Sequence, residues 1–405
     1  MALPGVNISR VDGGLNRLPI PEDNISAMII PVPIPYAGGI VNAMYTFLTI
    51  DEAEAQDITE ANDLASGVLA HRHIAEFFRI NPNGTLHVKF VLQGTSMETM
   101  LDVNGSHALQ LLQYAGGKVR QMGVVLNPAP IYVATIVNGL DQDVTAAVTN
   151  ANVLTNTVEP MGMPLIVLIE GRGFSGVPGT VKDARTLNAR NVGIVLLQDY
   201  AKRISFASFN GYADVGTALG CFSLAAVHEN IGWVAKFNLS GKTQHLEAGF
   251  SSNMKESQFS QAGLSTLLDK GYLFARTFPG KSGVYFADDP AAVVTTSDYA
   301  QLRYGRASQK AYRGVRNALL PYVNAPLYVT PDGTLENGTI KMFELAAGTP
   351  VAAMQSAGEI SAFDVSIDPA QNVLSTNTLN VKIAIIPVGS ASFINVTLSL
   401  ALQLA

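Results

Sequence analysis

Apolar positions along the chain fall into short alternating or continuous runs, separated by glycine, proline and asparagine. That pattern predicts many short strands with helices between them. Residues 1–22 read as an extended arm, with Val6 and Ile8 on one face of "GVNISRV" before Asp12-Gly13-Gly14, Pro19 and Pro21 interrupt. Strands are expected at "SAMIIPV" (26–32) and "AMYTFLTI" (43–50). Asp51 then opens a helix, with Glu54 placed to complete a capping box. The helical stretch reaches "HIAEFFRI" (73–80), ends at Asn81-Pro82-Asn83-Gly84, and gives way to the alternating strand "TLHVKFVL" (85–92).

From 105 to 200 helical and strand patterns alternate: "HALQLLQYAGGKVRQMG", "PIYVATIV", "PLIVLIE" and "VGIVLLQD". Continuous apolar strands of this kind are covered by helices on both faces, which predicts an α/β core. Residues 211–228 form a small-residue helix in which Gly216 and Gly220 allow close packing. The polar stretch "SNMKESQFSQAG" places a boundary near 252–262. Beyond it come a strand (272–277), a helix (297–320), a strand (326–329), a helix (349–358) and two closing strands (379–388 and 393–404). In the last of these Ile394, Val396, Leu398, Leu400, Leu402 and Leu404 alternate with small or polar residues. A terminal strand so apolar needs a partner to cover it.

Composition sharpens this. The 405 residues suffice for two or three domains, yet only 14% are charged, against about 25% in typical domains. Mean hydropathy is +0.22. The longest apolar runs are far short of the roughly 20 residues that cross a bilayer. A charge-poor chain without a spanning segment suggests surface hidden by other subunits. The formal charge of −6 argues against binding nucleic acid through bulk charge. The N-terminus lacks the basic start and apolar core of a secretory signal. Cys221, the single cysteine, sits in the apolar run "VGTALGCFSLAAV" and reads as a buried structural thiol made in a reducing compartment. The Asn-x-Ser/Thr triplets at Asn7, Asn83 and Asn395 then carry no glycosylation weight.

Candidate chemistry is sparse. "GRGFSG" (171–176) follows a strand and matches G-x-G-x-x-G, so a nucleotide-dependent oxidoreductase is the alternative function. Such a loop must open a helix whose amides meet the pyrophosphate, but Pro178 and Gly179 follow at once. A glycine-rich surface loop is the simpler reading. Gly280-Lys281-Ser282 and Gly241-Lys242-Thr243 lack the earlier glycine of a phosphate loop, having Ala275 and Lys236 there. His71 and His73 are two apart on a helix and point to different faces. "HENIG" (228–232) lacks the second histidine of a zinc-protease helix, and Ser175 fails the nucleophile-elbow pattern at Val177. No catalytic residue, metal site or cofactor is expected. One charged pattern is organised: Arg303, Arg306, Lys310 and Arg313 share a stripe on one helix. It reads either as a solvated face or as a docking surface for an acidic partner.

The chain as a whole resembles the tail sheath proteins of contractile phage tails and related injection systems. The start "MALPGVNISRVDG" is similar to the family's N-terminal arm, and "HIAEFFRINPNGTLHVKFV" with "DVGTALGCFSLAAVHENIGWV" to its α/β core. "KGYLFARTFPGKSGVYFADD" with "SDYAQLRYGRASQKAYRGVRNALL" resembles the start of its C-terminal domain, and "LNVKIAIIPVGSASFINVTLSLAL" its last two strands.

The resemblance implies an arm (1–22), a mixed-sheet α/β core with helices on its faces (23–262), an α+β, tube-facing C-terminal sheath domain (263–388) and a C-terminal strand arm (389–405). It implies a non-enzymatic virion or contractile-particle subunit that polymerises helically with itself by strand exchange. Expected partners are an inner tail tube protein, baseplate and tail terminator proteins, without membrane insertion or direct nucleic-acid contact. The chain would contract from a metastable extended state without nucleotide hydrolysis. The helix carrying Arg303, Arg306, Lys310 and Arg313 is the candidate for holding the tube.

Overall fold

The computed structural model describes residues 22–105, 107–204, 209–241, 243–396 and 398. Strand β1 (Ile25–Val32) is an inner strand of the main sheet and is buried along almost its whole length. β2 (Met44–Phe47) follows, and then the expected single helix breaks into three: α1 (Ile50–Glu54), α2 (Glu60–Ser66) and α3 (Ala70–Ile80). Gly67, in the left-handed region at φ 67°, ends α2. The cap of α1 is Thr49, not Asp51: its hydroxyl accepts from the Glu52 amide, and Glu52 accepts in return from the Leu48 amide. The threonine wins because the helix starts two residues earlier than the charge pattern suggests.

β3 (Thr85–Leu92), α4 (Met97–Leu101), α5 (His107–Tyr114) and β4 (Gln121–Val124) come next. The segment "PIYVATIV" is not a core strand. Only β5 (Ile136–Val137) pairs there, with β6 (Leu140–Asp141), and Ile131, Val133, Ile136 and Val137 are exposed. α6 (Gln142–Val158), β7 (Ile166–Glu170) and β8 (Val192–Val195) complete the middle of the fold. The chain then leaves the main sheet: β9 (Leu197–Asp199) runs into the short α7 (Tyr200–Arg203) and pairs with β10 (Ala248–Phe250), which pairs with β11 (Met254–Lys255). Between them lies α8 (Val215–Leu224).

α9 (Gln261–Asp269) leads to β12 (Tyr272–Leu273), which returns to the main sheet beside β8. The seven strands lie in the order β12-β8-β7-β4-β1-β3-β2, all parallel except β2 against β3. This is the expected mixed-sheet α/β core. Alternate residues of β1 divide its two faces: Met28, Ile30 and Val32 pack with α3 and α8, and Ala27 and Ile29 pack with α4, α5 and α6. Where α3 and α8 cross, a Cβ on Gly216 would lie 2.2 Å from the His73 carbonyl oxygen. The glycine lets the backbones touch, as its spacing predicts.

The boundary expected between 262 and 263 does not divide this packing. Phe250 before it and Leu264 and Leu267 after it share one core, and Val284, Phe286, Ala291 and Leu302 still belong to the sheet's other face. The polar stretch holds β11, a 3-10 turn (Glu256–Gln258) and the start of α9, and is not a linker. The hairpin β13 (Ala275–Phe278) and β14 (Lys281–Phe286) precedes α10 (Leu302–Leu319), α11 (Asn337–Ser356), β15 (Ile360–Ser366), α12 (Val373–Thr376) and β16 (Lys382–Pro387). This separate α+β unit has small cores of its own, one of them from Ala311, Val351, Met354 and Ile360. At 326–329 only a single bridge, Val329 to Leu335, replaces the expected strand.

Candidate functional site

α10 is the element shared by the two units, and its basic stripe faces inward. Arg303 binds Asp288 (3.1 Å) and Asp289. Arg306 donates to the carbonyls of Phe222 (2.7 Å), Ala225 (2.9 Å) and Ala226 (3.2 Å), closing the C-terminus of α8. Lys310 binds Asp23 (2.7 Å) and Glu359 (2.5 Å). Arg313 binds Asp23 (2.8 Å) and Glu22 (3.2 Å). Gln309 and Tyr312 add bonds to the carbonyls of Leu165 (3.1 Å) and Glu159 (2.9 Å). The reading of Arg303, Arg306, Lys310 and Arg313 as a solvated or tube-docking face is therefore corrected: these cations sew α10 to the larger unit. Spacing reports which side chains share a stripe, and cannot say which way the stripe points.

The other side of α10 carries a small sheet. β15 and β16 pair antiparallel, Phe363 opposite Ile385 and Val365 opposite Ile383, with a register shift between Ile360 and Ala362. Phe363, Ile383 and Ile385 rest on α10 and α11, while Ile386 on the opposite face is exposed. Among the described residues no third strand joins this sheet, so within them neither outer edge is paired to another strand. Two strands alone are marginal in water, and free edges are templates for another strand. Beside β16 runs a groove of about 800 Å³, walled by Tyr299, Tyr304 and Ala307 on one side and Ile383, Ile385 and Pro387 on the other.

The segment after β16 does not form the expected strand within the described residues. Ile394, Val396 and Leu398 are 80%, 81% and 90% exposed. Alternation supplies strand-forming side chains but does not say which edge receives them. Leu400, Leu402 and Leu404 lie outside the described residues, as do Val6 and Ile8 of the N-terminal arm.

A second charged cluster lies inside the core, between α3, α8 and the loop before β10. Arg72 donates to Asp214 (2.6 Å) and approaches Asp199 (3.4 Å) and Glu76 (3.3 Å). His245 Nε2 lies 3.3 Å from Asp214 and 3.4 Å from Glu76. Glu76, Asp214 and His245 have the donor types of a metal site and are brought together. The guanidinium already occupies the carboxylates, so the arrangement is an ion-pair network. Burial alone would lower the His245 pKa, but the two carboxylates outweigh it and raise it to about 9. For Asp214, Arg72 and His245 outweigh burial and hold the carboxyl well below its usual range. His73, beside them, is pushed down to about 4 by burial and accepts from the Gly216 amide.

The "GRGFSG" loop lacks the geometry of a dinucleotide turn. After Gly176 the chain runs through turns to a short 3-10 segment at Ala184–Leu187, so no helix begins where phosphates would lie. A Cβ on Gly171 would meet Leu196 at 2.6 Å, which makes that glycine a packing residue.

Two family models cover the chain: DUF2586, N-terminal domain, matches residues 3–290, and DUF2586, C-terminal domain, matches residues 298–405. The chain belongs to the DUF2586 family. The break between the two DUF2586 models falls just before α10, where the packing changes. No curated protein matches the sequence. Solved structures match the DUF2586 fold nearly end to end. A chain of the anti-feeding prophage baseplate aligns at 14% identity and a TM-score of 0.63, covering 99% of this chain and 100% of that one. A chain of the anti-feeding prophage helical sheath in its contracted state aligns at 12% and 0.62, covering 98% and 99%. A chain of the PVC sheath complex, an extracellular contractile injection system in its contracted state, aligns at 10% and 0.62, covering 99% and 98%. This DUF2586 chain thus has the fold of contractile sheath subunits. Among the described residues no helix is long and apolar enough to cross a membrane.

Proposed function

We propose that this chain is a non-enzymatic subunit of a contractile sheath, polymerising helically around an inner tube within a phage tail or related injection particle. The observation that carries the reading is the end-to-end match to sheath chains, combined with a C-terminal sheet that has only two strands among the described residues. In this reading residues 389–405 and 1–22 are strands donated to neighbouring copies. Backbone hydrogen bonds supply strength, and alternate side chains supply register. The exposure of Ile394, Val396 and Leu398 supports it, because such a segment is an aggregation liability until another chain covers it.

Contraction then consists of subunits moving largely as rigid bodies from a metastable extended lattice to a more stable one. Inter-subunit contacts supply the energy. The partners are other copies, an inner tube protein, and baseplate and terminator proteins at the ends. Removing residues 390–405 tests the strand assignment. The truncated chain is expected to keep its circular dichroism and thermal midpoint and to stay monomeric by sedimentation. Ordered tubes formed without that segment would refute it.

A further inference from the structure

Three distant parts of the chain meet at one charged cluster beside α10. Glu22 and Asp23 lie in the short 3-10 turn that leads into β1. Arg120, immediately before β4, donates to Glu22. Lys310 and Arg313 come from α10. Glu359, immediately before β15, binds Lys310. One ammonium group therefore links the root of the N-terminal segment to the start of the open-edged sheet. Asp23, Arg313 and Glu359 are all at least 91% buried. The Gln121 side chain also donates to the Asp23 carbonyl at 3.0 Å, holding its backbone as well. Screening by salt is weak at such depth.

We infer that Glu22 and Asp23 are an electrostatic anchor. They fix the direction in which the N-terminal segment leaves the body and tie it through Lys310 to the sheet that receives neighbouring strands. This rests on the sheath reading. The physical benefit is preorganisation: a segment with a fixed root has lost part of its conformational freedom on folding, so less remains to be lost on assembly. Its effective concentration at a neighbour's sheet edge is correspondingly higher. Burial opposes the charge on Asp23, but the Lys310 hydrogen bond and the charges of Lys310, Arg313 and Arg306 outweigh it and keep the carboxyl below its usual range. The anchor holds wherever Asp23 is ionised and Lys310 is charged.

The test compares full-length wild type, Asp23→Asn, Lys310→Gln and the double variant by sedimentation of polymers across a concentration series. Glu22→Gln, at a more exposed side chain, is included in case Asp23→Asn does not fold. Ile29→Val, a core change remote from the cluster, reports what lost stability alone does. Anchoring predicts that the concentration at which polymers appear rises about tenfold in Asp23→Asn, equivalent to about 1.4 kcal/mol. Glu22→Gln should shift it in the same direction, and the double variant should be no worse than the poorer single one. Ile29→Val should leave the threshold within about twofold. Equal thresholds in wild type and the anchor variants, or an equal shift in Ile29→Val, overturn the anchor and leave the sheath reading standing. Wild type that never polymerises overturns both.

Discussion

His245 gives the buried ion-pair network a pH dependence that can be worked out in advance. In the folded chain its pKa is about 9, against 6.5 when unfolded. The folded state therefore binds its proton more tightly. The stability this supplies is fully present below the unfolded value and is lost as pH rises through the folded one. Between about pH 7 and pH 9 the loss amounts to about 2 kcal/mol. His73 is already neutral across this window, because its folded pKa is about 4. Cys221, pushed up to about 12 by burial, adds a further loss only above the ordinary thiol value of 9.0. Urea unfolding at the two pH values measures the difference directly, and His245→Gln isolates the group. The variant should be less stable at pH 7 and lose only about 0.4 kcal/mol up to about pH 9, from Asp63, whose burial raises its folded pKa to about 7. A wild-type midpoint that does not move, or a variant that keeps the wild-type slope, would refute the assignment of the proton to His245.

Other changes probe the packing. Gly216→Ala should destabilise by about 3 kcal/mol, because its Cβ would collide with the His73 carbonyl. A stabilising effect, as expected for alanine in an open helix, would refute the close crossing of α3 and α8. Arg306→Met should cost about 3 kcal/mol in urea unfolding, since three carbonyls at the end of α8 lose their donor. A change within about 0.5 kcal/mol would return that arginine to the surface. Cys221 should resist thiol reagents in the native state and react on unfolding. Rapid native labelling would contradict its burial.

Legibility in the sequence followed burial symmetry. β1 and β7 were readable because strands covered on both faces are apolar almost throughout, β3 because its apolar residues alternate, and α8 because Gly216 and Gly220 recur at helical spacing. "PIYVATIV" misleads because its composition suits a strand while its place is an exposed loop. β15 is hidden because its residues are mostly part-exposed, so "ISAFDVS" carries little contrast. α11 extends well before its readable part, with Pro350 inside it and Gly314 of α10 opposite the ring. The larger error concerned charge. A basic stripe in an acidic protein looks like surface, yet Arg306 bonds the carbonyls at the end of α8 and the other three cations pair with carboxylates of the same chain. Those partners, Glu22, Asp23, Asp288, Asp289 and Glu359, are scattered along the chain and share no motif. Arg72 and Glu76, four apart in "HRHIAEFF", were the one local hint of the buried network. Asp199 and His245 left none.

The most direct test of the central claim is electron microscopy of the purified full-length chain. The sheath reading predicts hollow, striated tubes in which each repeat accommodates this fold and the small C-terminal sheet gains strands from neighbouring copies. A homogeneous population of compact monomers, with β15 and β16 still alone, would contradict it.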